Sequence, residues 1–313
     1  MEHFVTLFNN FFLPQGLALH MSMERHINKY TLWILCIDIK TYDILSELKL
    51  NNVKLLQLEK FENEKLLQVK TKRTLGEYCW TLTPFAPKFV FESDVDVERV
   101  TYLDADLWFR KQPLELLDEL NKSGKYVLIT DHAYAPEYDQ SKTSGQYCVQ
   151  FMTFTKQGGE IVRKWWEERC LEWCYNRYEE GKFGDQMYLD DWPIRFKDSV
   201  HVLKNKELTL APWNATRFPY GNSVFFHFHG LRLINSKKVY IGQYQLPKQL
   251  INNVYLPYLE DITKALKLLE SNNYFWIHSY LKIGFFQKIK NIIGLFKILK
   301  NYFFYSSVIK FRL

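Results

Sequence analysis

Short apolar runs alternate with amphipathic segments through the first part of the chain. Apolar runs of four to eight residues have the length of buried strands, while apolar residues at helical spacing indicate helices packed against them. The predicted strands are residues 3–8, 32–37 and 53–58. The first predicted helix follows a loop at 9–16 and ends near residue 29. The other two are residues 41–48, with Thr41 as a possible cap, and residues 62–70. This β-α-β-α-β order predicts a parallel, Rossmann-like sheet with right-handed connections.

The middle of the chain continues the mixture of strands and helices. Residues 75–91 are predicted to be helical, although Pro84 and Pro87 should interrupt or kink the helix. The pattern further predicts strands at 99–103, 126–130 and 149–155 and helices at 113–120 and 159–180, the last of which carries Trp165, Trp166 and Trp173 at the spacing of core residues. We therefore expect an α/β domain over residues 1–270, with a mostly parallel sheet flanked by helices.

Composition agrees with a folded globular protein. Hydrophobic residues make up 47% and aromatic residues 17% of the 313 residues, which is enough for one large α/β domain with an appendage. The five cysteines form no C-x-x-C pair, which favours a reducing compartment over a disulfide framework or a zinc site. The apolar first twenty residues lack a basic leader, and no apolar run is long enough to cross a bilayer. We expect a cytoplasmic protein.

The charge is concentrated at the carboxyl end. The chain carries a net charge of +6, and the segment from Ser271 onward holds seven bases and no acids. Aromatic and aliphatic residues alternate with lysines there, so residues 271–313 are predicted to be a basic amphipathic helical tail that lies on an anionic membrane surface, at the inner face of the cell membrane. The alternative is a helix packed on the body with a solvated basic face. Nucleic-acid binding is not expected, because the basic character does not extend over the body.

Two carboxylates follow the predicted strand at 99–103. On an extended backbone Asp104 and Asp106 would project to the same side from the carboxyl end of that strand. Two carboxylates held so close repel each other unless a cation lies between them, and hard oxygen ligands suit Mg²⁺ or Mn²⁺. A D-x-D triplet is often only a solvated turn, but the apolar residues on both sides favour a buried site for a metal and a diphosphate.

Two further segments carry candidate chemistry. Asp185 and Gln186 follow a glycine-rich stretch and offer donors and acceptors suited to sugar hydroxyls, although Asp185 could simply cap a helix. His227 and His229 alternate with aromatic residues, so both rings would face one side of a strand and could complete a metal site. The alternative is one buried and one exposed histidine. Arg232 nearby could neutralise a phosphate.

The layout of these motifs resembles glycosyltransferases of the GT-A fold. The segments are Asp104-Ala105-Asp106, Phe183-Gly184-Asp185-Gln186 and His227-Phe228-His229-Gly230, in this order. The order is similar to that of glycosyltransferase family 8. The stretches Glu77 to Pro84, Arg169 to Tyr175, Gly181 to Leu189 and Ala211 to Asn214 resemble a set of small nucleotide-diphospho-sugar transferases more closely still. The resemblance covers about residues 3–260.

The resemblance implies a function and a set of roles. It implies a hexosyltransferase-like enzyme that uses Mn²⁺ or Mg²⁺ and a nucleotide-diphospho-sugar, a UDP-sugar by analogy, to extend a cell-surface glycan or glycolipid with retention at the anomeric carbon. For the metal, it implies that Asp104 contacts the ion or the ribose, that Asp106 binds the ion, and that His227 completes the site, with His229 as its substitute. For the substrates, it implies that Asp185 and Gln186 contact a sugar near the reacting carbon and that Thr6 to Asn10 lie against the nucleotide base.

Some positions depart from the family 8 pattern. Cys148 and Gln150 stand where an Asn-x-Gly is expected in the strand facing the sugar. Trp80 stands where an arginine is expected, which makes Arg73 the stand-in for a phosphate or ribose contact. A Lys-Pro-Trp after the histidine is absent, which leaves Arg232 as its replacement.

Two other functions stay open at this stage. A haloacid-dehalogenase-type phosphatase also carries a D-x-D after an apolar strand, and Asp190 with Asp191 could imitate its later acidic pair. That family places the motif on its first strand, whereas about three predicted strands precede it here. A non-catalytic nucleotide-sugar-binding module is the second alternative, and the departures at Cys148 and Gln150 motivate it.

Overall fold

The structure is a computed structural model that describes residues 1–235 and 238–276 together with the backbone of a strand at 308–310. The strands are β1 (Glu2–Phe8), β2 (Tyr30–Cys36), β3 (Val53–Gln57), β4 (Arg99–Leu103), β5 (Leu107–Phe109), β6 (Val127–Asp131), β7 (Tyr147–Thr155), β8 (Val200–Val202), β9 (Thr209–Leu210), β10 (Phe225–His227), β11 (Arg232–Asn235), β12 (Lys238–Tyr240) and β13 (Val308–Lys310). The helices are α1 (Leu13–His26), α2 (Ile39–Leu48), α3 (Glu64–Lys70), α4 (Leu75–Leu82), α5 (Phe85–Ser93), α6 (Leu114–Ser123), α7 (Ser141–Ser144), α8 (Lys156–Glu172), α9 (Trp192–Arg195), α10 (Lys248–Leu250) and α11 (Leu256–Ser271).

A seven-stranded sheet forms the centre of the fold. Its strand order is β3-β2-β1-β4-β7-β6-β8. The neighbours β3-β2, β2-β1, β1-β4 and β6-β8 are parallel, and only β7 runs antiparallel to its neighbours β4 and β6 in this sheet. The prediction of an α/β fold with a mostly parallel sheet flanked by helices is confirmed. A second sheet, β5-β10-β9, lies beyond the carboxyl end of β4.

Side-chain alternation along the central strands divides the core into two layers. On β1, Val5 and Leu7 belong to one buried cluster and Phe4 and Phe8 to the other. Residues of α3, α4, α5 and α8 complete the first cluster, and residues of α1, α2, α6 and α11 complete the second. Helices therefore cover both faces of the sheet, which explains why all of β2 is buried and reads as a continuous apolar run.

Two helix starts differ from the predicted ones. The loop predicted at 9–16 is shorter, because the Asn9 side chain accepts a hydrogen bond from the Phe11 amide and α1 begins at Leu13, with Pro14 in its first turn. The cap of α2 is Asp38 rather than Thr41, since its carboxylate accepts the Thr41 amide at 2.7 Å. The predicted interruption near Pro84 is confirmed, because α4 ends at Leu82 and α5 begins at Phe85.

The helix α8 ends earlier than predicted. Its continuous part begins at Gly159, since Gln157 and Gly158 are not helical, but it ends at Glu172 rather than at residue 180. Trp173 is extended, and its carbonyl accepts the Tyr188 hydroxyl at 2.9 Å instead of an amide of a further turn. Trp166 is fully buried as predicted for a core residue.

A buried carboxylate fixes the second sheet to the helical layer. Asp261 on α11 is 2% exposed and accepts hydrogen bonds from Arg25 of α1 at 2.5 Å and from the Trp108 indole of β5 at 2.8 Å. Because an unpaired buried carboxylate is costly, these partners hold α1, β5 and α11 in one arrangement. The strand β5 is thereby fixed next to the carboxyl end of β4.

The described residues beyond 270 continue the packed body. Residue Ser271 ends α11, and Tyr274 and Trp276 pack against core clusters, with the Trp276 indole donating to the Phe11 carbonyl at 3.2 Å. The strand β13 pairs antiparallel with β12. The segment in which the amphipathic helices of the tail are predicted lies outside the described residues. In the part that is described, no helix is long and apolar enough to span a membrane.

Gly16 allows α1 to pack closely on the end of β1. A Cβ atom at this position would lie 2.4 Å from Cζ of the buried Phe8 ring. Because the ring would have to give up part of its contact with the core cluster, we expect Gly16→Ala to lower the free energy of unfolding by about 1–3 kcal/mol. Urea denaturation followed by tryptophan fluorescence measures the change.

The matched control is Gly76→Ala on α4. A Cβ at Gly76 meets nothing within 4 Å, so the helix propensity of alanine should leave the free energy of unfolding unchanged or raise it by up to about 1 kcal/mol. Equal unfolding free energies for the two variants would contradict the packing explanation.

Candidate active site

The Asp104–Asp106 pair lies in the turn that joins β4 to β5. The Asp104 carbonyl accepts the Leu107 amide at 3.2 Å, so the pair occupies a tight turn and not the extended backbone that the sequence alternation predicted. The turn forms because β4 belongs to the central sheet whereas β5 belongs to the second sheet. The two carboxylates nevertheless converge on one point.

The strand β10 brings a histidine to this turn. It runs antiparallel to β5 with His227 opposite Leu107, and the next amide, Phe228, donates to the Asp106 carbonyl at 3.0 Å. The His227 Nε2 atom lies 3.1 Å from Asp106 Oδ1 and 3.7 Å from Asp104 Oδ2. One ligand atom from each of these three residues falls within 4.8 Å of the other two.

His229 is not part of this group in the described residues. The strand ends at His227, so the alternation that would keep both rings side by side does not extend to His229. The two ring centroids lie 5.8 Å apart, and both rings face the same cavity. Burial, followed by the charge of His227, lowers the pKa of His229 to about 4.

Burial and mutual charge control the protonation of the group. Burial, with repulsion from Asp106, raises the pKa of Asp104 to about 6. Burial acts in the same direction on Asp106, but the charge and hydrogen bond of His227 outweigh it and lower the pKa of Asp106 to about 2. The His227 pKa is raised, because the two carboxylates outweigh the effect of burial. The group is thus a compact site in which negative charge is held close to a single imidazole.

The donor set fits a divalent cation. Two carboxylate oxygens and one imidazole nitrogen are ligands that suit Mn²⁺ or Mg²⁺. The set contains no thiolate, the ligand that is typical of structural zinc sites. The Nδ1 atom of His227 is held by Gln150 Oε1 at 2.9 Å, which leaves Nε2 for a ligand on the carboxylate side. These residues supply only three ligands, and ions of this kind usually keep further positions for water or phosphate.

The group opens into a cavity of about 680 Å³. Aromatic side chains form much of its wall. One set comes from the amino-terminal part of the chain and the segment after α8, namely Phe8, Phe11, Phe12, Trp80 and Phe183. A second set is a contiguous cluster in which the His132 ring stacks on Tyr134 at 4.7 Å and Trp213 contacts His132, Tyr134, His227 and His229. Tyr244 joins this cluster beside His229. Such a cavity has the size and mixed lining typical of small-ligand sites.

Asp185 and Gln186 both line the cavity, as the sequence analysis expected of residues near a substrate. Their backbone is fixed by Trp166, whose indole donates to the Asp185 carbonyl at 2.7 Å. The side-chain amide of Gln186 donates to the Ser144 carbonyl at 2.5 Å. Burial, and then the charge of Asp104, raise the pKa of Asp185 to about 7. The preceding Gly184 has a φ of 54° and lies against the Trp80 ring, so this turn favours glycine.

Three predicted contact residues lie away from the cavity. The Thr6 side chain is fully buried in the core of β1, and Asn10 donates twice to Asp38, through its amide at 3.1 Å and its side chain at 3.2 Å. Arg73 donates to the Thr81 hydroxyl and, at 2.9 Å, to the Leu171 carbonyl. These three residues are not among those that line the cavity. Leu7, Phe8 and Asn9, which lie within the predicted segment from Thr6 to Asn10, do line it, and so does Arg232. The structure therefore does not bring Thr6, Asn10 and Arg73 together with the aspartates.

Several lining residues were missed from the sequence. His132, Tyr134 and Tyr244 lie in loops with no motif around them. Trp213 appeared in the sequence analysis only within the stretch from Ala211 to Asn214. The structure shows what this stretch does: the side-chain amide of the buried Asn214 donates to the His132 carbonyl at 2.9 Å and holds the two loops together.

No family model matches the chain.

Comparison with known proteins identifies relatives and the fold. The chain is 28% identical over 287 residues to YfnD of Bacillus subtilis (strain 168), covering 86% of this chain and 91% of that protein. It is 31% identical over 247 residues to YfnF of the same organism, covering 72% of this chain and 80% of that protein. Both relatives are described as uncharacterized proteins.

Solved structures of glycosyltransferases share the architecture. The galactosyltransferase LgtC, in complex with donor and acceptor sugar analogues, superposes with a TM-score of 0.54 at 13% identity over 84% of this chain and 95% of its own. The apo-form glycosyltransferase GlyE of Streptococcus pneumoniae TIGR4 gives a TM-score of 0.52 at 16% identity over 87% of this chain and 64% of its own. The protein therefore has the GT-A glycosyltransferase fold, and it belongs to the same family as YfnF of Bacillus subtilis.

Proposed function

We propose that this protein is a glycosyltransferase that depends on Mn²⁺ or Mg²⁺. It moves a hexosyl group from a nucleotide-diphospho-sugar, a UDP-sugar by the resemblance, to a hydroxyl of a cell-surface glycan or glycolipid. The observation that carries the proposal is the convergence of Asp104, Asp106 and His227 at the edge of a cavity in a GT-A fold. The similarity to LgtC, whose structure holds donor and acceptor sugar analogues, agrees with it.

The departing diphosphate needs positive charge. Asp104, Asp106 and His227 would hold the cation, which when bound supplies a Lewis acid for the diphosphate oxygens. Arg232 lines the same cavity close enough to Asp106 and His229 to affect the pKa of both. Its guanidinium would add a second positive charge where the electron pair of the broken anomeric bond collects.

Asp185 and Gln186 would contact a sugar near the reacting carbon. Both side chains reach the cavity, and Asp185 lies close enough to Asp104 for its charge to raise the pKa. A carboxyl group with a pKa near 7 exchanges a proton readily at neutral pH, which suits a group that hydrogen-bonds a sugar hydroxyl. Retention at the anomeric carbon is part of the proposal through the resemblance alone.

The aromatic cluster around Trp213 suits the acceptor. Tyr134, Trp213 and Tyr244 line the cavity, and amphipathic rings of this kind match the apolar faces and hydroxyls of sugar rings. An acceptor sugar against these rings would have its hydroxyl close to His229 and the metal group. We therefore assign the acceptor to this part of the cavity.

The phosphatase alternative has little support in the geometry. Its second acidic pair would have to face the first, but Asp190 and Asp191 are not among the described residues that line the cavity. Asp190 instead accepts the Gln146 and Tyr147 amides at 2.8 and 3.4 Å and fixes the start of β7. Asp190 thus has a structural role, and Asp191 pairs with Arg195 at 2.6 Å.

Ligand-dependent thermal stability tests the proposed function. The full chain is heated with a panel of nucleotide-sugars, each with Mn²⁺ and with EDTA, and the positive donors are then assayed for release of nucleotide diphosphate. A ligand at 100 times its Kd stabilises the native state by about 2.7 kcal/mol, which is visible as a raised Tm. Stabilisation that needs both one nucleotide class and Mn²⁺ supports the proposal. Stabilisation without turnover would favour the binding module, and hydrolysis of aryl phosphates alone would favour the phosphatase.

We also propose that the basic tail, residues 271–313, attaches the enzyme to an anionic membrane surface through the part of its sequence that follows Trp276. The support is compositional, namely lysines among aromatic and aliphatic residues with no acids. Each lysine near such a surface contributes about 1 kcal/mol, so changing four to glutamine should weaken binding to phosphatidylserine vesicles about 100-fold or more. The variant changes Lys288, Lys290, Lys297 and Lys300.

The control for this variant removes the same charge elsewhere. It changes Lys60, Lys65, Lys72 and Lys122, which are exposed on the body. Vesicle sedimentation should show that the control binds like the unmodified protein, and neither should bind vesicles of phosphatidylcholine alone. Equal loss of binding in both variants would mean that the tail has no special role.

A further inference from the structure

Gln150 occupies a position behind the metal group. It lies on β7, is fully buried, and is not among the described residues that line the cavity. In the family 8 pattern this position is a glycine, which has no side chain that could reach the site. Here the carboxamide reaches His227, with Oε1 2.9 Å from Nδ1. The departure from the family pattern therefore adds a contact.

A chain of hydrogen bonds fixes which end of the amide faces the histidine. The Cys148 carbonyl can only accept, so the Thr130 hydroxyl donates to it at 3.3 Å. The lone pair of that hydroxyl accepts Gln150 Nε2 at 3.4 Å. The remaining atom, Oε1, faces His227 and can only accept, so His227 Nδ1 carries a hydrogen.

This protonation decides what the other ring nitrogen does. In the metal-free site Nε2 also carries a hydrogen, which it donates to Asp106 Oδ1. When a cation displaces that hydrogen, Nδ1 keeps its own hydrogen bond to Gln150 and the Nε2 lone pair becomes available to the ion. The Nε2 atom faces Asp106 Oδ1 at 3.1 Å and Asp104 Oδ2 at 3.7 Å. A divalent cation among these three atoms would replace the Nε2 hydrogen and take the lone pair, and a ring that keeps its hydrogen on Nδ1 is the form that permits this. The Cys148 thiol beside the ring stays neutral, since burial raises its pKa.

We propose that Gln150 is a positioning residue that selects the Nδ1–H form of His227 and orients its ring, so that Nε2 is presented to the divalent cation. The inference rests on the proposed metal site. It gives the departure from Asn-x-Gly a role in that site. Partners of this kind typically change metal affinity 10- to 100-fold when they are removed.

Two substitutions separate hydrogen bonding from packing. Gln150→Leu keeps most of the buried volume and removes the acceptor, so we expect the Kd for Mn²⁺ to rise 10- to 100-fold. Gln150→Glu keeps an acceptor for Nδ1–H, so we expect its Kd to stay within about threefold of the unmodified value or to fall. A role in packing alone would not distinguish the two variants in this way.

The control variant is Thr153→Val on the same strand. The Thr153 hydroxyl is buried and lies 2.9 Å from the Thr101 hydroxyl, with no link to His227. We expect a lower Tm with an unchanged Kd for Mn²⁺. All variants are full-length, and the Kd is measured from free Mn²⁺ by electron paramagnetic resonance at pH 7.5, with no donor and no turnover.

A second measurement reads the histidine directly. Nitrogen-15 chemical shifts of His227, assigned with His227→Gln, report which ring nitrogen keeps the last hydrogen, in a pH series without metal that extends until the ring is neutral. Nδ1–H in the unmodified protein and its loss in Gln150→Leu are the expected results. If the unmodified protein binds Mn²⁺ and Gln150→Leu binds it equally well, the inference is overturned and the metal site stands. If the unmodified protein binds no Mn²⁺, the metal site and the inference are both overturned.

Discussion

Asp106→Asn should lower the rate of sugar transfer by about 10³-fold and abolish the Mn²⁺-dependent stabilisation by the donor. Asp106 Oδ1 lies 3.1 Å from His227 Nε2, and the low pKa of Asp106, about 2, keeps the carboxylate charged at any working pH. An asparagine has nearly the same shape but no charge, so the site loses half of its carboxylate charge. Charge stabilisation at the reacting centre typically contributes 10²- to 10³-fold in rate per group, and here loss of the cation adds to it.

Initial rates at saturating donor and the Tm with donor, each with and without Mn²⁺, measure the effect. The matched control is Asp43→Asn, the same substitution at an exposed position on α2 away from the cavity. We expect it to behave like the unmodified protein in both assays. A fully active Asp106→Asn variant would remove the basis for assigning the metal to this group.

The aspartate pair shows what the sequence could predict and what it could not. Apolar residues on both sides indicated a buried site, and the convergence of Asp104 and Asp106 was correctly expected. The turn was not expected, because the backbone leaves the central sheet only where β5 pairs with β10. That pairing joins segments far apart in sequence, and local side-chain alternation carries no information about it.

The histidines make the same point. Alternation placed His227 and His229 on one side of a strand and left the choice of metal ligand open. The strand ends at His227, and the Phe228 amide bonds to the Asp106 carbonyl, so only the first ring meets both carboxylates. Where a strand ends is set by its tertiary partners rather than by the residues within it.

The expected phosphate or ribose contact of Arg73 was placed by its position in the chain rather than by its surroundings. Arg73 could be a phosphate ligand only if its guanidinium were free to face the cavity. The structure instead shows it bonded to the Leu171 carbonyl, where α8 ends earlier than the helical pattern predicted. The contact of Arg73 with the last turn of α8 is one that the helical pattern could not show. In contrast, Asp185 was found from the glycine-rich stretch before it. The structure places it in the cavity wall, where Gly184 forms the turn and the Trp166 indole holds the Asp185 carbonyl.

Asp185→Asn should stabilise the metal-free protein in a way that grows with pH. The pKa of Asp185 is raised from 3.8 to about 7, chiefly by burial, and its side chain is only 5% exposed. Between these two values the folded state keeps a proton that the unfolded chain has released. The free energy of unfolding therefore falls by about 1.4 kcal/mol for each pH unit over that window, and asparagine removes this loss.

The stability difference between Asp185→Asn and the unmodified protein should rise by about 3 kcal/mol from pH 5 to pH 8. Urea unfolding in EDTA at both pH values measures it, since a bound cation would favour the carboxylate. Gln186→Ala is the control, because it alters the same wall of the cavity without a titrating group, and its difference should be equal at both pH values. Asp185→Asn should also transfer sugar more slowly than the unmodified protein, because the proposed hydrogen bond to a substrate hydroxyl loses a charged acceptor. A stability difference that does not change with pH would show that Asp185 is ionised in the folded protein, and it would remove the case for proton exchange at this residue.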